Sequence, residues 1–263
     1  MDPMPNEAAG GGRALSLIST TPVKNFALEH PGEVEVGWGG VRDDRRFMLV
    51  DGDGRRLRSS QTAWPLAIAA RYDAATERLA VRFPDGRDVE GSAMADGEQI
   101  EIDYHGRPVV GRIVEGPWTE PLSVMAGHPV RLMRPAAPGD GRDEPVTLVS
   151  EASLDRLSGE AGCAVDGGRF RMLFTLAGCA PHEEDEWTGR LLRVGGVMVR
   201  VGDPVPRCAV TTRNPDTGAT DLDTLRLIHG YRPVRAGVEL PFGVYAEVVE
   251  PGRARVGDPV ELV

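Results

Sequence analysis

Cys208 stands in the stretch PVPRCAVTTRNPDTG (204–218), between Arg207 and a short apolar run, with Thr211, Thr212 and a turn-forming NPDTG behind it. A neighbouring guanidinium favours the thiolate, the form that binds soft metals and attacks electrophiles. The two threonines add hydroxyl donors. The same features also suit an ordinary buried cysteine at the start of a strand. Cations at demanding positions accompany it. Arg45 and Arg46 directly precede an apolar strand in VRDDRRF (41–47), so one of them points into the fold, where it would clamp an anion. The alternative is a charged turn in which Asp43 and Asp44 pair with these arginines. Arg171 lies inside the apolar run of GGRFRML and needs an anionic partner, either a carboxylate such as Asp185 or a ligand. Lys24, in TTPVKNF, is the one lysine among 30 basic residues. A compact ammonium does what a planar guanidinium cannot; chance survival in an arginine-biased chain is the other explanation. Cys179-Ala-Pro-His182 has C-x-x-H spacing but no second pair, so structural zinc is not expected. HEEDEW (182–187) reads as a solvated loop.

These residues have to be positioned by strands. Short alternating or β-branched runs occur at 14–20, 33–38, 46–51, 78–83, 99–104 and 107–114, separated by turn pairs such as Pro31-Gly32 and Asp53-Gly54. Their spacing leaves no room for crossover helices, which argues for barrels or sandwiches over a doubly wound parallel sheet. Further on, VTLVS (146–150) reads as a strand, with Ser150 as N-cap of a helix through EASLDRLS. RFRMLFTLAG (169–178) reads as one apolar strand, LLRVGGVMVRVGDP (191–204) as a hairpin turning at Gly195-Gly196, and TDLDTLRLIHGYR (220–232) as a helix stopping at Gly230. The final twenty residues read as another hairpin-like pair. The rhythm of strands breaks near residue 95, so the chain divides into a tail (1–12), an N-terminal β domain (13–95) and a second, mostly β domain (96–263).

The 263 residues, 41% hydrophobic, suffice for a substantial core. No run approaches a membrane span, and the N-terminus lacks a signal-peptide pattern. Three cysteines at irregular spacing argue against a disulfide framework. A soluble cytoplasmic protein is expected. The formal net charge of -10 disfavours nucleic-acid partners but leaves room for a local basic pocket.

Taken in order, PVKN, GVRDDRRFMLVD, LVSEASLDRL, RFRMLF, EEDEW, RCAVTTRNPDTG and PFGVYAEVVEPGRARVGDPV resemble one family. They look like a MOSC-domain protein with an N-terminal β-barrel domain, similar to the mitochondrial amidoxime-reducing component and its bacterial relatives. The resemblance covers nearly the whole chain after residue 12. It implies a mainly β fold with a few short helices, a strand-rich N-terminal β-barrel-like domain packed on a C-terminal MOSC β-barrel. It also implies the molybdopterin molybdenum cofactor, bound between the two. Cys208 matches the thiolate that ligates molybdenum. Lys24, Arg46 and Arg171 match residues that hold the anionic cofactor, and Asn25, Arg207, Thr211 and Thr212 complete the implied cofactor-binding set. The implied activity is reduction of N-hydroxylated small molecules, with electrons from a separate donor protein, since no cysteine-rich ferredoxin domain follows. The chain departs from the family pattern at Asn25, at Leu173 in place of an asparagine, at Pro206, which has no N–H, and at Glu144 in place of a hydroxyl donor. Two other functions fit a MOSC domain. One is a sulfur-carrier or cofactor-handling protein with a Cys208 persulfide; the other is a metal-free enzyme of specialised metabolism.

Overall fold

Alternation along the chain becomes alternation in space. The strand Glu33–Gly37 buries Val34 and Val36 and exposes the residues between them, the period of two expected of a strand with one wet face. The structure, a computed structural model, describes residues 12–58, 62–140 and 142–263; the expected tail, apart from Gly12, lies outside the described residues. The fold is mainly β.

Seven strands form the largest sheet, in the order Ala14–Ile18, Phe174–Ala177, Val146–Ser150, Pro241–Glu250, Val197–Pro206, Leu191–Val194 and Val260–Leu262. The sheet curls into a nearly closed barrel. Its two edges approach each other where the Leu15 N–H donates to the Asp258 carbonyl and the Val260 N–H to the Arg13 carbonyl, both at 2.9 Å. Within this sheet Val146–Ser150 and Phe174–Ala177 run parallel. Parallel neighbours need a long crossover, and this one contains the helix Glu151–Ala161, capped by the Ser150 side chain and ended by Gly162 at φ 68°. Buried Leu15, Leu148, Phe174, Val199, Val244 and Val260 are among the residues that fill the barrel.

A second sheet has the order Met48–Asp51, Val130–Pro135, Arg107–Val114 and Gln99–Tyr104. Its inner face joins Phe26, Phe47, Leu79 and Trp118 in a separate core. The boundary drawn near residue 95 falls between the strands Asp88–Ser92 and Gln99–Tyr104.

The apolar run 169–178 is not one strand. It is a 3-10 turn, Gly167–Phe170, followed by the strand Phe174–Ala177. Arg171, at φ 53°, takes a left-handed backbone that no strand tolerates. HEEDEW is not a solvated loop either: Glu183–Trp187 forms a 3-10 turn with Glu184, Asp185 and Trp187 buried. The Glu184 carboxylate accepts from the Ser153 hydroxyl at 2.7 Å and the Ser150 N–H at 3.2 Å. Asp185 pairs with Arg232. The helix expected to stop at Gly230 continues to Tyr231.

Candidate functional site

A cleft of about 580 Å³ collects residues from the seven-stranded sheet and from loops that adjoin both sheets. Lys24 and Asn25 reach it from the loop after the first strand, Arg45 from the turn before Met48–Asp51, and Arg171 from the turn before Phe174–Ala177. Cys208 reaches it from the loop after Val197–Pro206. Four of the lining residues, Asn25, Arg45, His105 and Arg171, have φ between 53° and 75° or at 52°. Each left-handed non-glycine residue costs on the order of 1 kcal/mol and persists where its surroundings over-determine it. The backbone is bent at these points to turn side chains into the cleft.

One end of the cleft is cationic. The Lys24 ammonium donates to the Tyr104 hydroxyl at 2.6 Å and lies 4.9 Å from the centre of its ring. Burial, then the guanidinium of Arg45, bring its pKa down to about 7, with Arg56 and Arg171 acting in the same direction and Asp143 against them. Arg45 pairs with Asp44 and donates to the Arg171 carbonyl at 2.8 Å. Arg171 donates to the Phe26 carbonyl at 2.6 Å, and burial and Arg45 hold its pKa below the ordinary range for arginine. Asp185, the carboxylate considered as its partner, is paired elsewhere. Beneath this end the buried Arg142 donates to the carbonyls of Gly39, Val41 and Asp44, fixing the turn that carries Arg45.

The other end carries the thiol. Cys208 is exposed, so the alternative of a buried cysteine does not apply. Arg207 is fastened to its surroundings: it donates to the Phe242 carbonyl at 2.8 Å and the Phe170 carbonyl at 3.0 Å, and its guanidinium stacks 5.2 Å from the Phe170 ring. Burial lowers its pKa to about 10. Thr211 does not line the cleft. Its hydroxyl contacts the Cys208 carbonyl at 3.1 Å and the Thr224 hydroxyl at 2.7 Å, and the Thr212 hydroxyl donates to the Ala209 carbonyl at 2.7 Å. Both therefore hold the 3-10 turn Ala209–Thr212 that presents the cysteine. Tyr245 lines the cleft nearby; burial, with Asp143, raises its pKa to about 12.

Arg46 is not with the others. Its guanidinium donates to the Pro135 carbonyl at 2.6 Å and lies among Arg134, Tyr72 and Asp43. Consecutive residues entering a strand point to opposite sides, and Arg45 is the one that faces the cleft. The structure thus brings together Lys24, Asn25, Arg171, Arg207 and Cys208 and leaves Arg46, Thr211 and Thr212 outside the lining. Tyr104 and Asp143 escaped the sequence reading. The only sequence signal for them was a buried-type aromatic at a strand end and a carboxylate in the GRDEPV loop.

The MOSC domain family matches residues 110–261. The chain belongs to this family. The mitochondrial amidoxime-reducing component 1 of Mus musculus is 36% identical over 126 residues, 45% of this chain and 36% of that protein. The alignment to the curated mammalian relative thus spans about a third of its length. The protein of the same name from Xenopus laevis is 33% identical over 285 aligned positions, 95% of this chain and 82% of that one. Among solved structures, the YUAD protein from Bacillus subtilis superposes with a TM-score of 0.47 at 10% identity, covering 96% of both chains.

In this MOSC chain the departures from the family pattern also fall at the cleft. Leu173 is buried, and its N–H donates to the Thr147 hydroxyl at 2.8 Å. Pro206 and Glu144 line the cleft, and burial, then Glu247 and Asp143, raise the Glu144 pKa. No helix among the described residues is long and apolar enough to cross a membrane.

Proposed function

We propose that this protein is a molybdenum-cofactor-dependent oxidoreductase that reduces N-hydroxylated small molecules, with electrons from a separate donor protein. The observation that carries the reading is convergence: an exposed thiol and a group of half-buried cations, from segments far apart in sequence, share one cleft. The residues fit the group. A lysine pushed down to about 7 by burial and three arginines marks a seat that an anion would relieve. A thiolate at an open rim suits a soft metal that must keep positions for substrate. Lys24, Asn25, Arg45 and Arg171 would hold the anionic end and Cys208 the metal.

The bound cofactor would supply the two-electron chemistry that takes oxygen from nitrogen. The chain's own part is positioning. Arg207, fixed to two carbonyls, and Thr211, fixed to Thr224, hold the Cys208 backbone in place. The names of the curated relatives, amidoxime-reducing components, support the substrate class.

Metal and pterin analysis of the purified protein tests this reading. Stoichiometric molybdenum with pterin, and reduction of an amidoxime by a chemical electron donor, are expected. Cyanide-labile sulfur on Cys208 without molybdenum would point instead to a sulfur carrier. An active enzyme with neither would be a metal-free member of the family, a reading favoured by the donors lost at Leu173 and Pro206.

A further inference from the structure

Tyr245 enters the cleft from within a strand. Along Pro241–Glu250, Val244, Ala246 and Val248 are buried in the barrel, so the period of two turns Tyr245 to the opposite face. Its ring packs against the apolar cluster that contains Phe170, Met172 and Val205. The strand is bent just before it. Gly243 has φ 71°, and a Cβ there would meet the Leu148 carbonyl oxygen at 2.6 Å. The register against Val197–Pro206 shifts at this point, between the pairs Pro204–Val244 and Pro206–Pro241. Such bulges re-aim the side chains beside them. Two hydroxyls line the cleft among the described residues, those of Thr147 and Tyr245, which are direct partners across neighbouring strands. The Thr147 oxygen is taken by the Leu173 N–H at 2.8 Å. The Tyr245 hydroxyl makes no hydrogen bond among the described residues, and it is open to the cleft rather than sealed in the interior. Its neighbour Arg207 has its own donors committed to the carbonyls of Phe170 and Phe242 and to the Met172 sulfur. The thiol end therefore holds one neutral, uncommitted O–H donor against an apolar wall.

We propose that Tyr245 is a catalytic residue of the reaction proposed above: its phenol donates a hydrogen bond to the oxygen of the substrate's N–OH group, and so distinguishes the N-hydroxylated ligand from the same molecule without that oxygen. The inference rests on that reading for the substrate class. A phenol that stays protonated is a donor throughout the working pH range, and burial holds the Tyr245 pKa at about 12. Phe170, Met172, Val205 and Val210 give the body of a substrate an apolar surface, which leaves one polar atom to be read by one donor. A site built to hydrogen-bond a substrate hydroxyl discriminates against the analogue that lacks it, because the donor is then left unpaired. The same bond strengthens as charge gathers on the oxygen while the N–O bond breaks.

The test compares benzamidoxime with benzamidine, the same ligand without the oxygen. Calorimetry is run on the full chain, purified from a host that makes molybdopterin, with no electron donor present so that nothing turns over. Tyr245→Phe keeps the ring and removes the O–H. It is expected to weaken benzamidoxime binding about tenfold and to leave benzamidine within about twofold of wild type. With a chemical electron donor added, kcat/KM for benzamidoxime should fall about tenfold or more, with kcat sharing in the loss. Thermal melts and molybdenum content unchanged from wild type show that folding and loading are intact, and retained benzamidine binding shows the same of the cleft. Equal losses for the two ligands overturn the proposal, as expected if Tyr245 only shapes the wall. So does unchanged binding and turnover of benzamidoxime in the variant, and so does a wild type that binds no benzamidoxime. Molybdenum and pterin content of the wild type decides the functional reading separately. Protein that lacks both, yet loses benzamidoxime affinity with the phenol, would keep this assignment and sink that reading.

Discussion

At the thiol end of the cleft, Arg207 gives its donors to the carbonyls of Phe170 and Phe242 and stacks on an aromatic ring. At the other end, Lys24, Arg45 and Arg171 crowd together: Arg45 and Arg171 lower the proton affinity of Lys24, and Arg45 that of Arg171. Both ends contain half-buried cations, but they teach different lessons. A guanidinium satisfied by backbone oxygens is part of the scaffold, and so is Arg142 under the turn. Cations that press on one another disfavour the empty protein, and an arriving anion relieves that pressure. Arg171 and Arg45 also donate to carbonyls, those of Phe26 and Arg171, so it is the pressure of neighbouring cations, rather than the acceptor, that sets the binding end apart.

The thiol end gives the largest expected effect. Cys208→Ser should leave thermal stability unchanged, because the side chain is exposed, and should bring amidoxime reduction to background, because a hydroxyl is a poor replacement for a soft thiolate. Cys163→Ser should retain activity. Retained turnover in the Cys208 variant would remove the metal-ligand role. Next comes Arg207→Ala, which strips two carbonyls of their donor and empties a packed position. It should lower unfolding free energy by about 3 kcal/mol in urea titrations. Arg207→Lys should recover little, since an ammonium cannot span both carbonyls.

The contrast between the two ends also shows what the sequence could reveal. Strands with one wet face, such as Glu33–Gly37 and Gln99–Tyr104, were legible because burial there alternates with period two. The Ser150 cap was legible because its partner, the Ser153 N–H, is local. The 169–178 segment was misread because hydrophobicity says nothing of the left-handed turn at Arg171. HEEDEW was misread because its charges are answered by Ser150, Ser153 and Arg232, distant in sequence. At the candidate site, Lys24, Arg171 and Cys208 stood out by type and context. Tyr104 and Asp143 did not, because their meaning lies in contacts with segments distant in the chain, as between Lys24 and Tyr104, 80 residues apart.

Crowding at the cationic end predicts a pH signature. The Lys24 pKa is about 7 in the folded chain against 10.5 as its ordinary value. Between these values the unfolded state binds more protons at this site than the folded state, so the stability of the empty protein should rise with pH across that window. One such proton is worth at most about 1.4 kcal/mol per pH unit. Lys24→Met should flatten the rise when urea midpoints of both proteins are followed from pH 7 upward. Parallel curves would show that Lys24 is not the depressed group. A phosphate-type anion should shrink the slope in the wild type, since it holds the ammonium protonated.

The smallest effect separates two neighbours. Arg45 faces the cleft and donates to the Arg171 carbonyl, whereas Arg46 donates to the Pro135 carbonyl on the other side of the turn. A charge-assisted contact contributes roughly 1.5–3 kcal/mol, so Arg45→Ala should weaken retention of an anionic ligand about tenfold or more. Arg46→Ala should leave that affinity within about threefold of wild type, through the weak, screened field of a charge outside the site. Its effect belongs instead to the junction with Val130–Pro135, read as a modest fall in melting temperature. Phenyl phosphate titrations of both variants decide between them. If Arg46→Ala weakens binding as much as Arg45→Ala, the assignment of these two arginines to opposite faces of the turn is wrong, and the cationic end extends to the strand that carries Pro135.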